Sequence, residues 1–301
     1  MKSGSGRKGR TPRRAALLLA IVLATTASAA HAQELSWTGS VSYANGSYIF
    51  DATTHSFLLS NGLRLTAGSV DFSASIPFVI QNSSLVTVVG GATLPTGGED
   101  SGAVGNRQPG ETIGTGRGSG SGGSGGPSAD SVVTYRDEFT WELGDPFFSA
   151  GVNVYEGRGF IRSVRAQAST KAPLRDLDSG VGTGEWDFGA SGSAFASVGS
   201  TYVFVDVGYW WYGDMPDLEL VDGLTYGAGV SRTFLDGKGS VMASFLGATA
   251  AIETMDRPAS VGLSFGYIPE LGRSFSTGLT LGLSESSPDI SVYAGWTLKV
   301  K

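Results

Sequence analysis

Cysteine is missing from all 301 residues. That excludes a disulfide framework, a thiolate metal site and a thiol nucleophile. Histidine is nearly missing too: of the two, His31 falls in a leader segment, so His55 stands alone in the mature chain. One histidine makes no multi-histidine metal centre, and neither a metal nor a cofactor is expected. Beyond residue 32 no run approaches the ~20 apolar residues of a spanning helix. No glycine motif stands at a strand-to-helix turn to cradle a phosphate. No serine motif or acid pair is tied to His55, so enzyme activity is not expected.

What is present is strict alternation. Val261, Leu263, Phe265 and Tyr267 interleave with Ser260, Gly262, Ser264 and Gly266. Phe275, Thr277, Leu279, Leu281 and Leu283 do the same against Ser274, Ser276, Gly278, Thr280 and Gly282. Period two means strands with one apolar face. The other face is Gly, Ser and Thr, which suits the inside of a closed barrel whose apolar side meets lipid. Glycine, at 46 residues of 301, is about twice its usual ~7 %. Within strands it suits bends and a crowded lumen.

The start of the chain is a second signal. Lys2, Arg7, Lys8, Arg10, Arg13 and Arg14 precede a short apolar core, Ala15 to Ala24, and small residues ending Ala30-His31-Ala32. This reads as a secretory signal peptide over 1–32, leaving 33–301 as the mature chain. Its removal takes six of the 21 Lys and Arg and leaves 15 against 27 acids, a net charge of −12. So acidic a chain is not expected to bind nucleic acid.

The alternation predicts an all-β fold: a transmembrane antiparallel up-and-down β-barrel of about twelve strands. The strands fall near 35–51, 54–66, 69–80, 146–155, 160–171, 185–198, 201–212, 223–235, 239–252, 259–268, 273–284 and 290–300. Asn45-Gly46 is a candidate break in the first. Short connections (Ala67-Gly68, Glu156–Gly159, Gly199-Ser200, Asp236–Lys238, Pro269–Gly272) alternate with mostly longer ones, as in bacterial outer-membrane barrels. Trp186 and Trp211 at one rim, with Phe160, Phe234, Tyr267 and Phe275 at the other, fit two aromatic belts.

Residues 96–131 contain Gly118-Ser119-Gly120-Ser121-Gly122-Gly123-Ser124-Gly125-Gly126-Pro127. This is linker composition, expected as a flexible external loop, either a lid or plug folding into the mouth or a disordered surface insertion. The apolar run Leu85–Ala92 before it is a candidate edge strand or strand extension.

Strand parity picks the candidate site residues, a set of possible lumen-lining groups: Asp71, Arg165, Gln167, Lys171, Asp187 and Asp206. Opposed charges would form a transverse field that orients a solute. The alternative is a structural salt-bridge network that fills the interior. Twelve strands lie between eight, where side chains fill the bore, and sixteen, where water does, so both stay open.

Several short motifs then matter by their order. Ser75-Ile76-Pro77-Phe78-Val79 closes the third segment, and Gly144-Asp145-Pro146-Phe147-Phe148-Ser149 opens the fourth. Lys171-Ala172-Pro173 is followed by Gly182-Thr183-Gly184-Glu185-Trp186-Asp187-Phe188-Gly189, and Pro288-Asp289 opens the last. That order resembles the outer-membrane barrels of the "MetA-pathway of phenol degradation" family over about 35–300. The resemblance implies a transporter-like outer-membrane barrel of a Gram-negative bacterium. Two departures are the long Gly/Ser insertion and the ending in Lys301 rather than an aromatic residue. The expected function is passage of small, aromatic or hydrophobic solutes. The expected partners are outer-membrane lipid, the barrel assembly machinery and the small-molecule solute. A structural or surface-binding barrel with a packed lumen is the alternative, and a hydrolase using His55 the third reading.

Overall fold

A computed structural model of the chain describes residues 33–89, 92–117, 132–135, 138–174, 181–215 and 217–300. The expected signal peptide, 1–32, and the Gly/Ser run 118–131 lie outside the described residues. Twelve long strands carry the fold: β1 (Gln33–Gly46), β2 (Thr54–Ala67), β3 (Val70–Gln81), β9 (Phe147–Glu156), β10 (Ile161–Lys171), β11 (Asp187–Val198), β12 (Thr201–Trp211), β13 (Gly223–Phe234), β14 (Gly239–Ala248), β15 (Ala259–Glu270), β16 (Arg273–Gly282) and β17 (Ile290–Lys299). Each pairs antiparallel with the next long strand, and β17 returns to β1 with Gly39 opposite Trp296. The ring is closed, so no barrel edge is left unpaired.

Short turns close one end, where left-handed Gly68 and Gly199 (φ +61° and +59°) spare a side-chain clash in the reversals. The longer connections gather at the other end. Alternation decides the two faces. Leu263, Phe265, Val205 and Val207 stand about half exposed on the outside, while Ser, Thr and Gly of the same strands face in. Two predicted ends move. The first strand stops at Gly46, at the predicted break. The segment expected to run to Ile252 stops at Ala248, and Ala251 and Ile252 turn into a buried cluster.

Between β3 and β9 lie β4 (Thr87–Val89), β5 (Ala92–Leu94), a 3-10 turn (Gly98–Asp100), α1 (Ser101–Gly105), β6 (Gly114–Arg117), β7 (Val132–Tyr135) and β8 (Thr140–Leu143). The run Leu85–Ala92 is therefore neither an edge strand nor an extension of β3. Within it Thr87–Val89 form the first arm of the β4–β5 hairpin and Ala92 opens the second, with Val88 opposite Thr93. β8 and β9 both pair with β3 and make one interrupted strand: Phe78 faces Leu143, but Ser75 faces Phe147. Three residues, Gly144-Asp145-Pro146, thus stand against two, Ile76 and Pro77. This is a bulge built around two prolines that have no N–H for the ladder.

The buried apolar core is at the mouth. Ile49, Phe50, Leu85, Val89, Leu94, Val104, Ile113, Met215, Leu218, Leu220, Ala251, Ile252 and Met255 form one cluster contributed by several external connections. The sequence predicts 96–131 to be a loop too polar to pack. Its described part, 96–117, instead buries Thr96, Ser101, Val104, Arg107 and Ile113. Scattered single apolar residues suffice because the other loops bring their partners.

Candidate functional site

The lumen is the candidate site, and its charges divide into three groups. The first lies on the wall. Arg165 of β10 donates to both carboxylate oxygens of Asp71 on β3, at 2.6 and 2.9 Å, and to Gln167 Oε1 at 3.3 Å. To reach Asp71 it crosses β9 over Gly151, where a Cβ would collide with the guanidinium. Arg64 of β2 approaches the same carboxylate at only 3.7 Å, with about half its side chain exposed. Asp71, Arg165 and Gln167 therefore face inward as parity predicts. Their charges pair along the wall rather than across the bore, which favours the salt-bridge reading over the transverse field for these three.

The second group seals the top. Lys171 is fully buried, with Nζ 2.6 Å from Thr183 Oγ1, 3.1 Å from Asp187 Oδ2 and 3.4 Å from Asp145 Oδ2. Asp145 reaches it because the bulge turns that residue inward. Asp145 Oδ1 also accepts the Leu174 N–H, and Asp187 Oδ1 the Gly213 N–H. Lys171 and Asp187 were predicted to line a solute path. Their complete burial corrects that: they fasten the loops to the barrel end and present nothing to a solute. Tyr212 next to this group has its phenol pushed up to about 12 by burial, with Asp187 and Asp222 adding to it.

The third is Asp206 on β12, whose carboxylate lies against Gly227 on the inward row shared with Leu246. Among the described residues it has no ion pair or hydrogen bond. Rings on the inward rows lie flat over glycines. Phe204 covers Gly229, Trp210 covers Gly189 and Tyr293 covers Gly278. Bulky groups thereby lie close against the wall.

Two cavities lie along the β1–β3 side of the lumen. The larger of them, about 320 Å³, is walled by Thr38, Ser40, Ser60, Arg64, Ser73, Ser75, Ser274, Ser276, Trp296, Thr297 and the backbone about Gly39 and Gly295. The smaller, about 90 Å³, lies between Ser42, Leu58 and Val79 of the wall and Val86, Val88, Thr93 and Val181 of the loops. Above it the mouth is latched. Arg107, almost wholly buried, makes a bidentate pair with Glu285 at 2.9 and 3.0 Å and donates to the Thr254 carbonyl at 3.0 Å.

His55 is on the outward parity of β2, shared with the exposed Phe57, and bonds Tyr43 Oη through Nδ1 at 2.8 Å. Its ring does not enter the lumen. Arg64 is the residue that the sequence reading passed over. Its signal was present in the row Ser60, Gly62, Arg64, Thr66, set against the apolar Leu59, Leu63 and Leu65.

No family model matches the chain, and no curated protein does. Solved structures do. The COG4313 outer membrane channel from Pseudomonas putida F1 superposes with a TM-score of 0.59 at 10 % identity, over 89 % of this chain and 96 % of that one. The CymD monoaromatic hydrocarbon channel gives 0.41 at 7 % identity, over 89 % and 88 %. Outer membrane phospholipase A from Escherichia coli gives 0.37 at 14 %, over 88 % and 89 %. At 10 % identity the likeness to the COG4313 channel is one of fold. What this barrel does has to be argued from its own lumen.

Proposed function

We propose that this protein is an outer-membrane channel through which small solutes, aromatic or apolar ones included, pass into the periplasm. The carrying observation is the chamber of about 320 Å³ inside the short-turn half of the barrel, lined mainly by hydroxyls, with Arg64 and Trp296, instead of interlocked apolar side chains. Glycines that let rings and the Arg165 guanidinium lie against the wall support the same reading. So does the order of sequence motifs, which resembles that of the MetA-pathway of phenol degradation family. Asp71, Arg165 and Gln167 would shape the path, and Asp206 would border it. Lipid would cover the exposed apolar band, and the barrel assembly machinery would insert the chain.

A second reading, a barrel whose bore is shut, has its own support in the latched mouth. Ion conductance of folded protein spanning 33–301 in a planar bilayer separates the two. Discrete steps are expected. Silence from folded wild type, persisting after Arg107→Ala, would overturn the channel reading.

A further inference from the structure

The two cavities share one wall and follow one another along it. Ser42 and Leu58 line the upper one; the next inward residues on β1 and β2, Ser40 and Ser60, line the lower one. The upper is bounded mainly by aliphatic groups, the lower by hydroxyls and Arg64.

Charge bookkeeping at this wall leaves a surplus. Two guanidiniums share the single Asp71 carboxylate. Arg165 holds both oxygens at 2.6 and 2.9 Å, and Arg64 is left at 3.7 Å. The uncompensated positive charge thus resides on Arg64, the one charged side chain among the described residues that line the lower chamber. Asp206 is on β12, five strands around the ring from β2, and does not line the chamber. Lys299 and Glu34 at the rim neutralise each other at 2.9 Å.

We propose that the β1–β3 wall is a two-station binding path for a small monocarboxylate with an apolar body. A solute occupies the stations in turn: its apolar end lodges first under the β4–β5 hairpin, and roughly 20 Å further along β2 its carboxylate meets Arg64 among the serines. A dry apolar cavity of ~150 Å³ takes benzene, so the upper station at about 90 Å³ takes a short alkyl group or one edge of a single ring. Arg64 suits the role because a guanidinium pairs with a carboxylate through two parallel hydrogen bonds.

This rests on the channel reading, and its test is built to fail separately. Bilayer reversal potentials under KCl and sodium benzoate gradients measure selectivity, and benzoate titration of the folded, detergent-solubilised chain measures binding without conduction. Wild type is expected to favour anions and bind benzoate. Arg64→Gln is expected to lose at least several-fold in both, and Arg64→Lys to keep part of each. Ser276→Asp, which cancels the surplus without touching Arg64, is expected to act like Arg64→Gln. Leu58→Asn is expected to weaken benzoate while sparing chloride selectivity. Conductance with unchanged selectivity and binding in Arg64→Gln overturns the assignment but not the channel. Absent conductance with Arg64-dependent benzoate binding upholds the site and overturns the channel.

Discussion

The barrel wall and its mouth use apolar residues in opposite ways. On the wall Leu263, Phe265, Val205 and Val207 are the exposed residues, and small polar ones face in. At the mouth Leu85, Val89 and Val104 are fully buried. The wall is held by continuous ladder hydrogen bonds and needs no apolar interior; lipid supplies its apolar contact. The mouth lies outside that ladder and in water, so it must bury apolar surface and pair its charges as a soluble domain does. A membrane barrel can thus carry a second, water-type core at one end.

Replacing Lys171 breaks the mouth most severely. Lys171→Ala takes from Asp145 and Asp187 the buried ammonium that they flank, at a cost of about 3–5 kcal/mol. Thermal unfolding and proteolysis of the loops are expected to show a loosened mouth on a closed barrel. Lys171→Met is expected to cost nearly as much, because the missing charge and not the missing volume is at fault.

The wall fails by the converse change. Leu263→Arg sets a charge on the lipid face near mid-strand, with an expected cost of about 2–4 kcal/mol in a bilayer. Folding in lipid vesicles measures it. The same substitution at Val104 is expected to spare the wall and open the mouth, which sharpens the contrast between the two media.

Arg107→Ala tests the latch alone. It removes the pair with Glu285 and the bond to Thr254 at about 1–3 kcal/mol, leaving the ladder untouched. Faster proteolysis within 96–117 is expected, together with larger or more frequent bilayer openings. Equal protease resistance in variant and wild type would show that the apolar cluster holds the mouth without it.

The smallest effect is on pH. Tyr212 has a phenol raised from 10.0 to about 12 by burial, so its folded form resists ionisation. Below pH 10 the group is neutral folded or unfolded and adds no pH dependence. Between about pH 10 and 12 the unfolded chain ionises first, and the mouth loses stability as pH rises. Tyr48, raised too by burial and by Asp289, acts in the same direction. Protease sensitivity of the mouth at pH 11 against pH 8, with Tyr212→Phe as control, checks this.

Reading the wall from sequence worked because each strand announces itself locally. Period two identified β10 to β17 with small errors at the ends, and parity faced Asp71, Arg165, Gln167 and Asp206 inward. The errors share one cause. Ile252 looked like strand because it is apolar, yet it belongs to the mouth cluster. Lys171 and Asp187 had the right parity, but burial depends on Asp145 and Thr183, each brought in by a bulge or loop. Residues 96–117 looked like linker because their few apolar residues have no neighbours in sequence.

By itself the amino-acid sequence determined the alternating strands, the faces they present and the closed antiparallel order, because these follow from a period of two and from short turns. Only the tertiary structure decided which charges cancel. Whether Arg165 or Arg64 takes Asp71, whether Lys171 meets solute or carboxylates, and whether Val104 finds Leu218 depend on distances across strands and loops that no local pattern encodes. The surplus charge on Arg64 exists only because the barrel closes with Asp71 within closer reach of Arg165.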